Sequence, residues 1–179
     1  MKQPLWFDRK FDFSFTQNIF PVIIERLSGT PARLEEKVTG LSDSLLIQKP
    51  ENTWSIKENI GHLHDLEPLW TGRLQDILAK ETYLRTTDLT NTKTTEANHN
   101  TKSLHDLLSQ FRLSRMETIQ KLDALTEEEI YLTALHPRLK TPMRAMDLFL
   151  FVAEHDDHHL LKISQIIKQS SDSSKRSDS

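Results

Sequence analysis

The sequence predicts an all-α fold, a four-helix bundle with one long connection. Two observations carry that expectation. Apolar residues recur at three- and four-residue intervals through four long stretches, which lays them on one face of a helix. The chain also holds only 4 glycines and few alternating apolar–polar runs, which leaves little material for a sheet. Nothing repeats at a fixed period and no composition shift marks a boundary, so residues 1–168 read as one domain. Residues 169–179, "QSSDSSKRSDS", carry no apolar side chain and are expected to form a disordered tail.

The first apolar segment spans about 16–40. Its "GTP" at 29–31 is expected to divide it, because Pro31 suits the first turn of a new helix and disfavours a helical Thr30. The second helix opens at "WSIKE", where Ser55 and Glu58 stand at the spacing of a reciprocal capping box. Ile60, Leu63, Leu66, Trp70, Leu74 and Ile77 mark its apolar stripe, and Pro68 is expected to kink it. Residues 82–101, rich in Thr and Asn, read as a long surface loop. A third helix follows at about 103–124, burying Leu104, Leu107, Leu108, Phe111, Met116 and Ile119. "LTEEEI" is a capped turn and "HPRLKTP" a connector. The fourth helix is expected to start with Thr141 as cap and Pro142 in its first turn, and to run to about Gln169.

Composition narrows the function. A net charge of −3 offers no basic face for nucleic acid. The absence of cysteine excludes disulfides, a cysteine nucleophile and a thiolate metal site, so any metal must be held by His, Asp or Glu. No segment approaches the ~18 apolar residues of a membrane span. Nor does "MKQPLWFDRKFDFSF" carry the apolar run of a signal peptide, so the expected location is the cytoplasm.

Residues 155–159, "HDDHH", are the densest ionisable cluster in the chain, and only Glu154 separates them from the apolar "LFLFVA". On a helix His155 and His159 lie one turn apart and about 40° around the axis, a spacing that lets two imidazoles grip one ion. Val152, Phe151 and Leu148 before them and Ile163 and Ile166 after them place the pair on the buried stripe. His62 lies among Ile60, Leu63 and Leu66 on the second helix and supplies a third imidazole, while His64 points to water. Three histidines leave one position of a divalent ion open, the arrangement of catalytic rather than structural zinc. The pattern favours this over hydrogen-bonded core histidines. His158 falls at the edge of the face, and His99, His105 and His136 are expected to be solvated. Trp54 and Trp70 read as packing and Glu58 as a cap. "HDDHH" also contains H-D-x-x-H, a shortened mimic of a zinc-protease motif with Asp156 as base. No third ligand follows it in the remaining 20 residues, so that reading is set aside.

"WSIKENIGHL" and "HDDHH" together resemble the DinB-like superfamily, helical metal-binding proteins that include damage-inducible and thiol-transferase members. The first looks like the family's W-S-x-x-E-x-x-x-H-L and the second like its H-x-x-x-H; the likeness covers about residues 16–168. "LHPRLKTPMRAMDLF" is similar to the segment before the family's last helix, although "HHLLKISQI" lacks the Gly-Gln that often follows the final histidine. The resemblance implies an up-down-down-up bundle, a divalent metal on His62, His155 and His159, water in the open positions and often a homodimer. It implies an enzyme that joins a low-molecular-weight thiol to an electrophile. A metal-dependent hydrolase and a non-catalytic metal-binding stress-response protein are the alternatives. Three imidazoles suit Zn, Ni, Mn, Co or Fe, with zinc favoured. Asp65, three residues after His62, is the candidate for moving a proton or orienting a ligand, although a solvated helix position is the preferred reading for it.

Overall fold

The computed structural model describes residues 4–50 and 53–177. Four long helices form the bundle: α1 (Phe20–Val38), α3 (Ile56–Leu78), α5 (Leu104–Asp123) and α7 (Ala145–Ser177). Short helices α2 (Asp43–Ile47), α4 (Thr92–Glu96) and α6 (Glu127–Ile130) lie between them. Their contacts give the topology. Arg26 reaches Asp157 and Lys37 reaches Ser164, so α1 and α7 run parallel. His64 meets Ser114 and Glu67 meets Thr118, so α3 and α5 also run parallel. Asn59 meets His159 while His62 meets His155, so α3 opposes α7. The bundle is therefore up-down-down-up, as the family resemblance implied. No helix of the described residues is long and apolar enough to cross a membrane.

Three boundaries differ from expectation. The "GTP" stretch does not divide α1, which runs unbroken through Pro31. A proline inside a helix strands the carbonyl four residues back, here that of Leu27. Arg115 on α5 donates to that oxygen from Nη1 at 3.4 Å, a partner no local rule could supply. At the other end, Thr141 and Pro142 do not open α7. Pro142–Arg144 form β2, antiparallel to β1 (Thr133–Leu135) with Ala134 opposite Met143. The Asp147 carboxylate accepts from the Arg144 backbone N–H at 2.9 Å and holds its guanidinium at the start of α7. Finally, α7 is helical to Ser177, beyond the predicted end near Gln169.

The capping box forms as read: Ser55 Oγ accepts from the Glu58 N–H and Glu58 from the Ser55 N–H. The helix it starts runs through Pro68. On α5 the buried position is Arg115, not Met116, which is half exposed. Spacing explains this, since 111, 115, 118 and 122 keep to one face and 116 does not.

The apolar core has two parts. One gathers around Trp70, Leu74, Phe149 and Val152, the other around Leu63, Phe111, Leu160 and Ile163. A polar waist separates them on every long helix. Arg115, fully buried, sits at its centre, 2.6 Å from Glu67 and 2.5 Å from Asp156, with Thr30 donating to Asp156 at 2.8 Å. The "HDDHH" turn crosses this waist. Asp156 faces Arg115, Asp157 pairs with Arg26 and Arg33 at the surface, and the histidines face the other way.

Candidate metal centre

The buried face of α3 carries His62, and the opposing face of α7 carries His155 and His159; all three are buried. Their donor atoms lie within 4.8 Å of one another. His155 Nε2 stands 3.4 Å from His62 Nε2 and 3.2 Å from His159 Nε2. Two imidazole nitrogens bound at 2.0–2.1 Å to one tetrahedral ion stand roughly 3.3 Å apart, so the spacing fits such an ion. Burial is the main cause that pushes His62 down to about 4, with Asp65 opposing, and holds His155 and His159 well below the usual range. All three are neutral imidazoles at neutral pH.

Hydrogen bonding settles which nitrogens carry protons. The Thr94 hydroxyl gives its single proton to Asp65 Oδ2 at 2.9 Å, so toward His62 Nδ1, 3.0 Å away, it can only accept. His62 therefore carries its proton on Nδ1 and a lone pair on Nε2. Asn59 donates its amide to the carbonyls of Ser55 and Trp54, which turns Oδ1 toward His159 Nδ1 at 2.8 Å. His159 thus also carries a lone pair on Nε2. Both lone pairs point at His155 Nε2, and one imidazole N–H cannot serve both in good geometry. A cation accepting from all three nitrogens removes the conflict, and the donor set is one that Zn, Ni, Mn, Co or Fe accepts.

Asp65 is buried rather than solvated. Besides Thr94 it accepts from His99 Nε2 at 2.8 Å, so it faces the ligand-orienting side of His62 and does not line the cavity. His99 is likewise buried, contrary to expectation, because residues 92–101 fold into α4 and a 3-10 turn that dock on α3. Gly61 permits the docking: a Cβ there would lie 2.3 Å from the His99 ring. A glycine inside a capped helix costs about 1 kcal/mol against alanine, and that was the signal of a close approach. His136 is buried too, packed on Phe151 with ring centroids 5.7 Å apart. His64 is half-buried, with Nδ1 3.0 Å from Ser114 Oγ, while His105 stays exposed. His158 is buried with Nδ1 unpartnered, its ring against His159 and Trp6. Asp156 belongs to the waist and cannot act as base toward the histidines.

A cavity of about 440 Å³ opens beside the three histidines. Trp54 stacks over His159, Trp70 and Trp6 meet His155 edge-on, and Phe151 continues the wall. Arg73, His136 and Arg138 also line it.

No curated protein matches the sequence. Among solved structures, YfiT from Bacillus subtilis, described as "a probable metal-dependent hydrolase with an unusual four-helix bundle topology", matches with a TM-score of 0.78 at 22% identity. The match covers 91% of this chain and 94% of that one. At that identity the likeness shows the fold. The family model of the DinB superfamily matches residues 26–163, most of the chain and all of the histidine-bearing waist, and the chain belongs to that superfamily.

Proposed function

We propose that the chain is a metal-dependent enzyme for a small molecule, with a divalent ion on His62, His155 and His159. Its favoured reaction is transfer of a low-molecular-weight thiol to an electrophile. The observation that supports the metal is the pair of Nε2 lone pairs, of His62 and His159, aimed at His155 Nε2, where one imidazole proton cannot serve both. When bound, a divalent ion there supplies Lewis acidity, lowering the pKa of a thiol or a water in its open position. The chain does the rest. Thr94 and Asp65 orient His62, Asn59 orients His159, and the Trp54, Trp70 and Phe151 rings exclude water from the reacting groups.

Thiol transfer is preferred because, among the described residues, the cavity holds no free carboxylate. The acid that lines it, Asp88, is committed to the backbone N–H groups of Thr90 and Thr92. A thiol delivered to a Lewis acid needs no strong protein base to become a nucleophile. Hydrolysis is the second reading, and the fold likeness to YfiT favours it. There the neutral His158, pushed down to about 4 chiefly by burial and lining the cavity, is the group placed to take a proton from water. Zinc is the first choice of ion.

The test is cobalt(II)-substituted protein titrated with glutathione, cysteine and bacillithiol. The proposal expects a thiolate-to-cobalt absorption band with at least one thiol, lost in His155→Ala. No band with any thiol, together with ester or amide turnover by the metal-loaded protein, would replace transfer by hydrolysis. Absence of bound metal after equilibration with zinc or cobalt would overturn both.

A further inference from the structure

We propose that the same cavity has a second, oppositely charged end: Arg73, His136 and Arg138 form a site for a carboxylate, so the substrate carries one on an apolar body. The proposal deepens the functional reading above and rests on the cavity being the substrate site. Arg73 is 2% exposed, yet has no Asp or Glu partner among the described residues. Its hydrogen-bonding contacts are the Arg85 carbonyl, at 3.2 Å from Nε, and His136 Nε2, at 3.2 Å from Nη1, and its guanidinium lies over the Trp70 ring. Asp76, one turn along α3, is already held by the Arg85 guanidinium and N–H. Burial pulls Arg73 down to about 10, which still leaves it charged at neutral pH. Arg138 likewise has no acid partner among the described residues, and its Nη2 is buried with no hydrogen bond there. Every other arginine whose side chain is described pairs with Asp or Glu. Arg73 lies over the Trp70 ring and Arg138 over the Phe7 ring, at 5.6 and 5.2 Å to the centroids, which offsets part of the cost of burial. Neither guanidinium has an ion pair with a carboxylate among the described residues, and an anionic ligand would supply one.

His136 sharpens the case. Its Nδ1 accepts from the backbone N–H groups of Arg138 and Leu139, at 3.2 and 3.1 Å. A neutral imidazole that accepts at Nδ1 carries its proton on Nε2. That Nε2–H faces Arg73 Nη1, another donor, so donor meets donor. An oxygen of a carboxylate that meets both accepts from both, and Arg138 lines the same cavity. The situation mirrors the histidine cluster, where two acceptors converge on a nitrogen with at most one proton; here donors converge without an acceptor. Arg73 lies 11 residues after His62 on one face of α3, so the two Cα atoms are about 16 Å apart along the helix. Leu66, Leu69 and Trp70 lie between them and line the cavity. A ligand spanning it therefore has an apolar middle, a carboxylate at one end and its reacting group at the other.

The test compares 4-phenylbutanoate with its primary amide, which keeps the shape and loses the charge. Binding to chelator-treated protein is read by calorimetry and by fluorescence of the three tryptophans that line the cavity. Without metal, the histidine cluster cannot hold the acid through an ion. The acid should bind at least about ten-fold tighter than the amide, the scale of a charge-assisted contact. Arg138→Gln should abolish most of that preference, lowering the affinity for the acid far more than that for the amide. Arg73→Lys, which keeps the charge but loses the fork, should weaken it less. Equal affinity for the two probes, no binding of either at millimolar concentration, or a preference that survives both substitutions overturns the carboxylate site. Zinc content of the same proteins is measured separately. Protein that takes no zinc but prefers the acid removes the metal reading alone; protein that takes zinc without preference removes this proposal alone.

Discussion

Thr94→Val is the substitution that bears most directly on how the histidines are held. Thr94 is buried and does two things: its oxygen accepts from His62 Nδ1–H and its proton goes to Asp65. Valine keeps the shape and removes both. His62 then either leaves a buried N–H unmet, at about 1–3 kcal/mol, or moves its proton to Nε2 and withdraws a lone pair from the cluster. Both outcomes weaken the grip on an ion. Loss of such an orienting partner typically lowers metal affinity 10–100-fold, or about 1.4–2.8 kcal/mol. Asp65 keeps His99, so the 92–101 segment stays docked and the fold remains intact. The assay is competition for zinc against a chromophoric chelator, with thermal unfolding of the metal-free proteins as control. Thr94→Ser, which restores the hydroxyl, should restore most of the affinity. If Thr94→Val binds zinc as the parent does while His155→Ala does not, the Asp65–Thr94–His62 chain plays no part in orientation. If His155→Ala also binds normally, the three histidines are not the site.

Three further outcomes follow. Metal bound only by the folded protein stabilises it by about 2.7 kcal/mol at a concentration 100 times Kd, so chelation should lower Tm by roughly 5–10 °C for a chain of this size; an unchanged Tm on removing bound zinc would contradict binding at the waist. In metal-free protein, His62 titrates near 4 when folded and near 6.5 when unfolded, so its stabilisation is complete above about 6.5 and is lost as pH falls toward 4. That group alone accounts for about 3 kcal/mol, and urea midpoints that do not move across the window would show the imidazole is not buried neutral. Arg115→Met leaves Glu67 and Asp156 buried without their cation and should cost about 3–5 kcal/mol, whereas replacing all three by apolar residues should recover much of the loss; a mild effect of the single change in urea unfolding would refute the buried network.

What was legible in the sequence was what a single helix decides for itself. Periodicity marked the four long helices, the Ser55–Glu58 spacing marked the start of one, and the four-residue interval put His155 and His159 on one face. The missed features depend on a partner distant in the chain. Pro31 obeys the local rule, and Arg115, 84 positions on, supplies a donor to the freed carbonyl. His99 and His136 sit in Thr-rich and Pro-containing segments that any window reads as exposed, and tertiary docking buries them. Yet two of these misses left a trace: Gly61, where a helix prefers alanine, for His99, and Arg115, a charge on the buried face of its helix, for Pro31. Such local inconsistencies concentrate where function constrains the chain. Here they fall in or beside one waist, where buried polar groups cost stability that an apolar layer would have retained. A core built for stability alone would not leave two lone pairs converging on one imidazole nitrogen at one end of a cavity and donors facing donors at the other. The two mismatches have opposite sign, and a cation with an anionic ligand resolves both, so the arrangement is best understood as a site whose hydrogen bonding is complete only when it is loaded.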